Sequence, residues 1–392
     1  MHTIKKTVLL AFIFLCFNAQ AQQIFSYETV NTESYSLYEK AAWKELLIYG
    51  KEAINNKQDF VMLRLRMGYA AFMLNNFSEA IKHYEVVLKN DSYNSAAHYY
   101  IFLSRKYLNQ HELAAAESKY LSEEVLQQEK FKKVAVTNIG FEVSYKNAVV
   151  SSRRNPLYAR LELGNRFSPN FHMLQSVATY QQKIKEPLLT GVTNNNNINI
   201  RQIEYYNRIM LNLTNHWQIK GAYHFIHTPF NNLVFKNHLA LLGLKYTGSY
   251  FDLQADAVLG KLSDSTIRQY NLQLGLYPLG NLNFYSFSTA SLRQQGQSAF
   301  NFRQVLGVKL IKNLWLEGNV TLGTFSNLLE NDALYVYNAI DPNKIKGGVT
   351  SYITLTPNII AQLGYTFEQR QLYNQSINYN QHSITGGISW KF

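Results

Sequence analysis

The feature that most constrains the fold is a two-residue alternation of apolar and polar side chains, which recurs through the second half of the chain. Its clearest copy is residues 382–392, where one side of an extended chain is apolar and the other is polar. The apolar side carries Ile384, Ile388, Trp390 and Phe392. Repeated segments of this kind predict a two-faced antiparallel sheet from residue 133 to the end.

We predict about fourteen strands in this region. They are 135–149, 156–167, 170–184, 199–213, 216–227, 234–248, 250–261, 266–279, 282–294, 299–312, 314–326, 344–356, 358–369 and 380–392. An even number is typical of bacterial single-chain membrane barrels. Strands 170–184 and 282–294 alternate less regularly than the others.

The connectors between these strands are sorted by length. Those after even-numbered strands are short and mostly built from turn residues, as in 168–170 and 356–358. Most of those after odd-numbered strands are longer, with 185–198, 327–343 and 370–379 the longest. Short periplasmic turns with long outer loops are the outer-membrane pattern, whereas a soluble β-sandwich has no reason to sort its loops. The pattern predicts that the first strand begins in the periplasm.

Charged side chains on the polar faces are expected to point into the barrel, because a charge facing lipid near the midplane costs roughly 2–4 kcal/mol. The candidate luminal charges are Arg160, Glu162, Arg166, Arg208, Asp252, Asp256, Arg303 and Lys309. The same faces carry Glu142, Lys146, Glu204, Lys220, Glu317, Glu368 and Lys391. The signs are nearly balanced, which favours ion-pair networks across strands. An aqueous path is the alternative, since about fourteen strands enclose more space than eight.

The N-terminus has the pattern of a secretory signal peptide over residues 1–21. Lys5 and Lys6 precede an apolar run, and the small residues Ala19 and Ala21 form a cleavage site that predicts a mature start at Gln22. The chain's one cysteine lies inside this segment. The mature protein is therefore expected to lack disulfides, thiol nucleophiles and zinc–thiolate sites.

Residues 22–132 have helical rather than alternating periodicity. The segment 74–80 is echoed by 108–114, and this offset of 34 residues is the tetratricopeptide period. Gly68, Ala80, Tyr84 and Ala114 fall where such a repeat needs small or aromatic residues for close helix packing. We expect about two and a half repeats, including a helix over 43–55, closed by a further helix over 115–132. Such a domain usually binds a partner protein, and a plug or spacer is the alternative.

Charge and motifs narrow the function. The 22–134 segment has fourteen basic and fourteen acidic residues, so the positive excess lies in the second half. Export argues against nucleic acid as a partner, which leaves anionic lipid, an anionic solute or a plain solvated surface as the reason for the positive charge. No nucleophile elbow, phosphate loop or paired-histidine helix is present. We therefore expect no catalysis, cofactor or metal site.

The combination of a signal peptide, a short tetratricopeptide segment and a barrel ending in Phe392 resembles the YaiO-type outer-membrane barrels. It is also similar to the polysaccharide-export porins, although those have many more repeats. The Asn, Gln and Tyr content is similar to that of Bacteroidota proteins. The resemblance implies that Trp390 and Phe392 are read by the barrel assembly machinery. It also implies contact with outer-membrane lipid or lipopolysaccharide, and a helical domain in the periplasm.

The resulting hypothesis is a non-enzymatic outer-membrane barrel whose tetratricopeptide domain docks a periplasmic protein. The barrel would act as a passive channel or help to translocate a solute or glycan. A purely structural outer-membrane adaptor is one alternative. A lipid-modifying barrel enzyme is another, but it would need a serine and a histidine aligned on one surface, and no spacing in the sequence links them.

Overall fold

A computed structural model describes residues 25–150, 152–185, 197–230, 233–373 and 376–392. The expected signal peptide, the mature start at Gln22 and most of the 185–198 connector lie outside these ranges. Within them the chain forms an α-helical N-terminal domain followed by a closed antiparallel β-barrel. No helix in the described ranges is long and apolar enough to cross a membrane.

The helical domain contains seven described α-helices. They are α1 (Tyr27–Glu39), α2 (Trp43–Asn55), α3 (Val61–Met73), α4 (Phe77–Asn90), α5 (Ser95–Tyr107), α6 (His111–Glu117) and α7 (Glu123–Gln128). Helices α1, α3 and α5 begin 34 residues apart, and so do α2, α4 and α6. The domain is therefore an array of three helical hairpins, with α7 after the last one.

Two expectations for this domain were wrong. The first hairpin is complete, because α1 precedes the expected helix over 43–55. The apolar periodicity of α1 is weak, since only Val30 and Ser34 of that helix are buried. The expected closing helix over 115–132 is broken. Helix α6 ends at Glu117 and passes through a short 3-10 turn, and Ser122 then caps the separate helix α7 through the Val125 N–H.

The hairpins are closely packed at the residues that the repeat pattern singled out. Ala80, Tyr84 and Ala114 are buried. A Cβ on Gly68 would lie 2.8 Å from the Tyr84 ring, so α3 and α4 approach each other too closely for a larger residue there. The turn between the helices has a left-handed residue at the same place in each hairpin, namely Ala41, Asn75 and Asn109.

The described part of the second half forms sixteen strands. They are β1 (Ala135–Ala148), β2 (Arg153–Ser168), β3 (Phe171–Lys185), β4 (Asn197–Asn212), β5 (Trp217–Phe230), β6 (Leu233–Thr247), β7 (Phe251–Leu262), β8 (Ser265–Leu276), β9 (Phe284–Gln295), β10 (Gln297–Ile311), β11 (Leu314–Phe325), β12 (Leu329–Glu330), β13 (Tyr335–Val336), β14 (Asn343–Thr356), β15 (Ile359–Gln371) and β16 (Asn378–Lys391). All but β12 and β13 form one closed barrel, in which β1 pairs with β16. The predicted fourteen-stranded antiparallel barrel is confirmed.

The two faces of the barrel wall separate as the alternation predicts. Large apolar side chains point outward and are exposed, including Leu242, Leu272, Leu363 and Ile384. In β7 the residues between the outward ones are buried inside, among them Asp252. Because the sheet is closed, it leaves no unpaired edge, and its apolar outer wall suits a lipid environment. The fold is that of a membrane-spanning barrel of the outer-membrane type.

The barrel has two ends, which we call the proximal and the distal mouth. Both barrel termini and the turns after even-numbered strands lie at the proximal mouth. The two longest connectors, 186–196 and 326–342, leave from the distal end, as does 372–377, whereas the next longest, 277–283, lies at the proximal mouth. Other distal turns, such as 263–264 and the single Gly296, are as short as the proximal turns. The sorting by length therefore comes from 186–196 and 326–342 alone.

Candidate functional site

The most distinctive feature of the barrel is a loop that occupies its lumen. Residues 326–342 connect β11 to β14 and contain the small β12–β13 hairpin. We call this segment the plug loop. It was expected to be an outer loop, but its side chains instead contact the inner wall. Its tip, 331–333, has three consecutive residues with positive φ, 51°, 58° and 63°. This left-handed turn is one that Asn331 and Asp332 tolerate.

The tip of the plug loop is held by an ion-pair cluster deep in the barrel. The Asp332 carboxylate accepts hydrogen bonds from Lys220 Nζ at 2.5 Å, Arg208 Nη1 at 2.9 Å and Gln254 Nε2 at 2.9 Å. These partners lie near the proximal ends of β4, β5 and β7. The loop therefore reaches from the distal mouth most of the way through the lumen.

A second contact anchors the β12–β13 hairpin to the opposite wall. Glu330 accepts a hydrogen bond from Lys346 Nζ at 2.7 Å, and its other oxygen faces the hydroxyl of Thr321 at 3.3 Å. Arg303 lies 3.8 Å from the same carboxylate. Two cations thus flank one loop carboxylate inside the barrel.

The tyrosine of β13 provides a third contact. The Tyr335 hydroxyl lies 3.0 Å from a Glu142 carboxylate oxygen and accepts from Arg160 Nη2 at 2.6 Å. The Arg160 guanidinium also stacks over the Tyr335 ring, 4.4 Å from its centre. The hydroxyl therefore joins a cation and an anion that belong to adjacent strands, which ties the loop to β1 and β2.

The C-terminal end of the plug loop is bound to the barrel wall near the distal mouth. Asp341 makes a bidentate ion pair with Arg153, at 2.6 and 2.9 Å, and accepts from the Tyr379 hydroxyl at 2.8 Å. Both charged side chains are almost fully buried. A bidentate carboxylate–guanidinium pair fixes orientation as well as distance. The loop is therefore anchored at its tip, its hairpin and its C-terminal end.

One side of the plug loop is apolar and packs on an apolar sector of the inner wall. Leu329 and Ala333 lie in one buried cluster with side chains of β5 to β8. Those wall residues are Ile226, Leu239, Leu241, Val258, Leu262 and Ile267. An open aqueous lumen would leave this sector wetted, so the wall composition itself favours an occupant.

Beside the plug loop lies a cavity of about 520 Å³. It extends from distal-rim residues such as Arg153 and Ile184 to mid-barrel residues such as Glu317. Its lining combines ion pairs and amides with six tyrosines, which are Tyr158, Tyr180, Tyr335, Tyr337, Tyr352 and Tyr379. A cavity of this size accommodates a small organic molecule. The amphipathic tyrosines can contact it through both their rings and their hydroxyls.

The helical domain covers the proximal mouth. Ser78 donates its backbone N–H to the Gly280 carbonyl at 3.0 Å, and the Tyr250 hydroxyl donates to Glu79 at 2.9 Å. Gly280 has a φ of 65°, and a Cβ there would clash with Asn76. Further along the rim, Asn212 donates to the Glu112 carbonyl at 2.7 Å. Helices α4 and α6 thus contact several turns of the barrel.

Two carboxyls at this interface have lowered pKa values. A hydrogen bond from His83, with a second from Tyr250, lowers the pKa of Glu79 to about 2, although burial acts the other way. Burial alone would raise the pKa of Glu112, but attraction to Arg208 and His172 holds that pKa below its ordinary value. Both carboxyls are therefore ionised at neutral pH and attract barrel groups.

The structure places all eight candidate luminal charges on the inner face of the wall, and it also shows their partners. Arg160, Arg208 and Arg303 contact the plug loop rather than only neighbouring strands. The others pair locally or near the proximal mouth. Glu162 accepts from Asn138, Asp252 from Tyr277 and Asp256 from Asn271, while Arg166 lies over the Phe131 ring and Lys309 over the Trp315 ring.

Reasoning from sequence missed that three of these charges, Arg160, Arg208 and Arg303, have partners in a loop. A signal was present, because three of the barrel half's few acidic residues, Glu330, Asp332 and Asp341, lie in a single connector.

The two aromatic residues at the end of the barrel, Trp390 and Phe392, do not face the lumen. Trp390 and Phe392 point outward, stack at 5.8 Å and lie at the seam with β1.

No protein-family model matches the sequence, and no curated protein does. Solved structures of outer-membrane barrels are similar in shape at very low identity. A FadL homologue from Pseudomonas aeruginosa has 7% identity and a TM-score of 0.47, covering 72% of this chain and 92% of that one. The Pseudomonas putida toluene transporter TodX has 9% identity and a TM-score of 0.44, covering 65% and 88%.

A bacterial polysaccharide outer-membrane secretin is a further neighbour. It has 8% identity and a TM-score of 0.41, and the match covers 66% of this chain and 98% of that one. These likenesses concern the barrel fold. The relation to YaiO-type proteins and the tetratricopeptide assignment stay predictions from the sequence.

Proposed function

We propose that this protein is a gated outer-membrane barrel that binds a polar solute in its lumen and passes it, without catalysis, towards a periplasmic helical domain. The observation that carries the proposal is the double closure of the barrel. The plug loop fills the lumen from the distal mouth, and helices α4 and α6 cover the proximal mouth. Between the plug loop and the wall a cavity stays free.

The chemistry of the closure supports gating over a permanent seal. The plug loop is held largely by ion pairs and hydrogen bonds, which solvent or a charged solute can replace. A loop that only fills space would be held more stably by apolar packing. In the plug loop only the side that carries Leu329 is held in this way. The long connector 326–342 also has enough chain to leave the lumen without unfolding a strand.

Conductance across planar bilayers tests the channel part of the proposal on the full-length protein. The wild type should show rare openings, because the plug loop is docked. Asp332→Asn, which removes the charge that pairs with Arg208 and Lys220, should raise the open fraction. Asp264→Asn, at an exposed distal turn with a similar φ of 60°, is the matched control. Closed membranes with all three proteins would reject a channel and favour the structural adaptor.

The orientation can be tested by labelling, because the expected mature chain has no cysteine. Asp264→Cys places a thiol at a distal turn, and Tyr93→Cys places one on the helical domain at a residue that is 84% exposed. In intact Gram-negative cells, a membrane-impermeant maleimide should label the distal thiol alone. The thiol at position 93 should react only after the outer membrane is permeabilised. Equal labelling in intact cells would contradict a periplasmic domain.

We further propose that the helical domain docks a periplasmic protein. Support comes from its exposed aromatic and methionine side chains on α1, α3 and α5, which are Tyr27, Tyr35, Met62, Met73 and Tyr107. A partner that co-purifies with the wild type and is lost in a Tyr35→Ala/Met62→Ala variant would support docking. Retention of every co-purifying protein by that variant would speak against it.

A further inference from the structure

We infer that the luminal cavity contains a binding site for a small organic anion, built around Lys146 with Arg370 and Ser383. This deepens the proposed function by assigning the class of solute. The site lies on β1, β15 and β16, on the opposite side of the plug loop from the apolar wall of β5 to β8.

Lys146 is the cation that carries the inference. It lines the cavity, and the described residues offer it no hydrogen bond or ion pair. Other cations of the lining are engaged, as Arg153 is with Asp341 and Lys346 with Glu330. Lys146 is thus an ammonium group in a confined space whose donors face the cavity. Such a group is stabilised by an anion.

Two further donors line the same cavity. Ser383 is the direct register partner of Lys146 on the neighbouring strand, and its hydroxyl is buried without a hydrogen-bond partner in the described residues. The Nε of Arg370 is likewise buried without one. Both side chains line the cavity and are at least nine-tenths buried, with exposures of 4% and 9%. Unpaired buried donors of this kind are uncommon and call for an acceptor.

Three carboxylates of the cavity, Glu368, Glu330 and Asp341, already have partners of their own. Glu368, the one closest in register, already accepts from Asn343 at 3.1 Å, from Arg370 Nη2 at 3.0 Å and from Gln381 at 2.6 Å. Glu330 and Asp341 are held by their own cations, as described above. Both lysines lie over the Tyr337 ring, Lys346 at 4.4 Å and Lys146 at 5.9 Å from the ring centre. Its ring offers a surface for the organic part of the ligand.

The ligand chemistry is therefore a carboxylate or phosphate on a small body that contacts aromatic rings. A cavity of about 520 Å³ fits a sugar acid or a sugar phosphate. A neutral sugar of the same size could accept hydrogen bonds through its hydroxyl oxygens, but it would leave the Lys146 charge without a counter-ion. We expect the site to prefer the anion strongly.

Isothermal titration of the purified full-length protein in detergent tests the inference with D-glucuronate, D-glucose 6-phosphate and D-glucose. We expect saturable millimolar binding of at least one anion and none of glucose, and the two anions separate carboxylate from phosphate recognition. Lys146→Met should weaken anion binding by about tenfold or more, the usual effect of losing one charge-assisted hydrogen bond. Ser383→Ala should weaken it less.

Lys309→Met is the matched control, since Lys309 also faces inward but stacks on Trp315 outside the cavity. It should leave binding unchanged, and heat-shifted gel migration confirms that each variant is folded. Equal binding of glucose, equal weakening by both lysine variants, or no saturable binding of either anion would overturn the inference. A closed barrel in bilayers together with intact anion binding would instead reject the channel and leave this site standing.

Discussion

The ion pairs of Asp332 should control how often the plug loop leaves the lumen. Asp332→Asn keeps the shape of the side chain and its left-handed backbone, which Asn also tolerates. It removes the negative charge between Arg208 and Lys220. Because Lys220 is only 2% exposed, the variant leaves a buried ammonium without its counter-ion. The docked state is therefore destabilised.

The size of the effect follows from the burial of the partners. Removing one member of a buried ion pair costs roughly 3–5 kcal/mol. Arg208 is 24% exposed and keeps water, and the asparagine retains one oxygen for a hydrogen bond, so the cost falls at or below the lower end of that range. A loss of about 2–3 kcal/mol multiplies the undocked population by roughly 30 to 150, since each 1.4 kcal/mol is a factor of ten.

Thiol labelling measures this population directly. Leu328→Cys places the chain's reporter thiol on the plug loop at a residue that is 2% exposed. When the loop opens and closes faster than the reagent reacts, the labelling rate follows the opening equilibrium. Asp332→Asn should speed labelling by the factor above, whereas Asp264→Asn should not. Equal rates in the two backgrounds would show that the Asp332 cluster does not hold the loop, and the gating argument would fail with it.

The remaining predictions concern the helical domain and its interface. Gly68→Val should destabilise that domain by about 1–3 kcal/mol, because the new side chain meets the Tyr84 ring; urea unfolding followed by helical circular dichroism checks it. Gly280→Ala, at a φ of 65° and against Asn76, should loosen the helical cover and increase proteolysis between helices and barrel. Glu79, whose pKa is about 2 against an ordinary 4.5, stabilises the interface between the helices and the barrel in its ionised form. This stabilisation should be complete above pH 4.5 and should be lost as the pH falls towards 2. Glu79→Gln should flatten that acid dependence in the same proteolysis measurement.

The wall of the barrel could be predicted because lipid imposes a strict rule. A closed sheet in a bilayer must alternate, so residues such as Leu272 and Leu274 reveal their face from spacing alone. The strand number followed from the same signal. The repeat period likewise fixed the close approach of α3 and α4 at Gly68.

The interior could not be predicted in the same way. Alternation shows that Arg208 and Lys220 point inward, but it does not show what they meet there. Their partner Asp332 is more than a hundred residues away in sequence, in a connector without periodicity. Ile226 and Leu239 are apolar residues that point inward, where polar residues are expected. Such inward apolar residues indicate that an apolar group occupies the lumen beside them. Such long-range pairs are fixed by three-dimensional packing alone.

The two closures of the barrel are linked through one guanidinium. Arg208 donates to Asp332 of the plug loop, and its charge also attracts the Glu112 carboxylate of the helical domain, which lowers the pKa of that carboxyl. An interaction gained by one carboxylate changes the field felt by the other, and such coupling acts equally in both directions. A partner that moves α6 would therefore alter the hold on the plug loop. A solute that displaces the loop would in turn alter the contact between helix α6 and the barrel. Binding at one mouth of the barrel would therefore affect binding at the other.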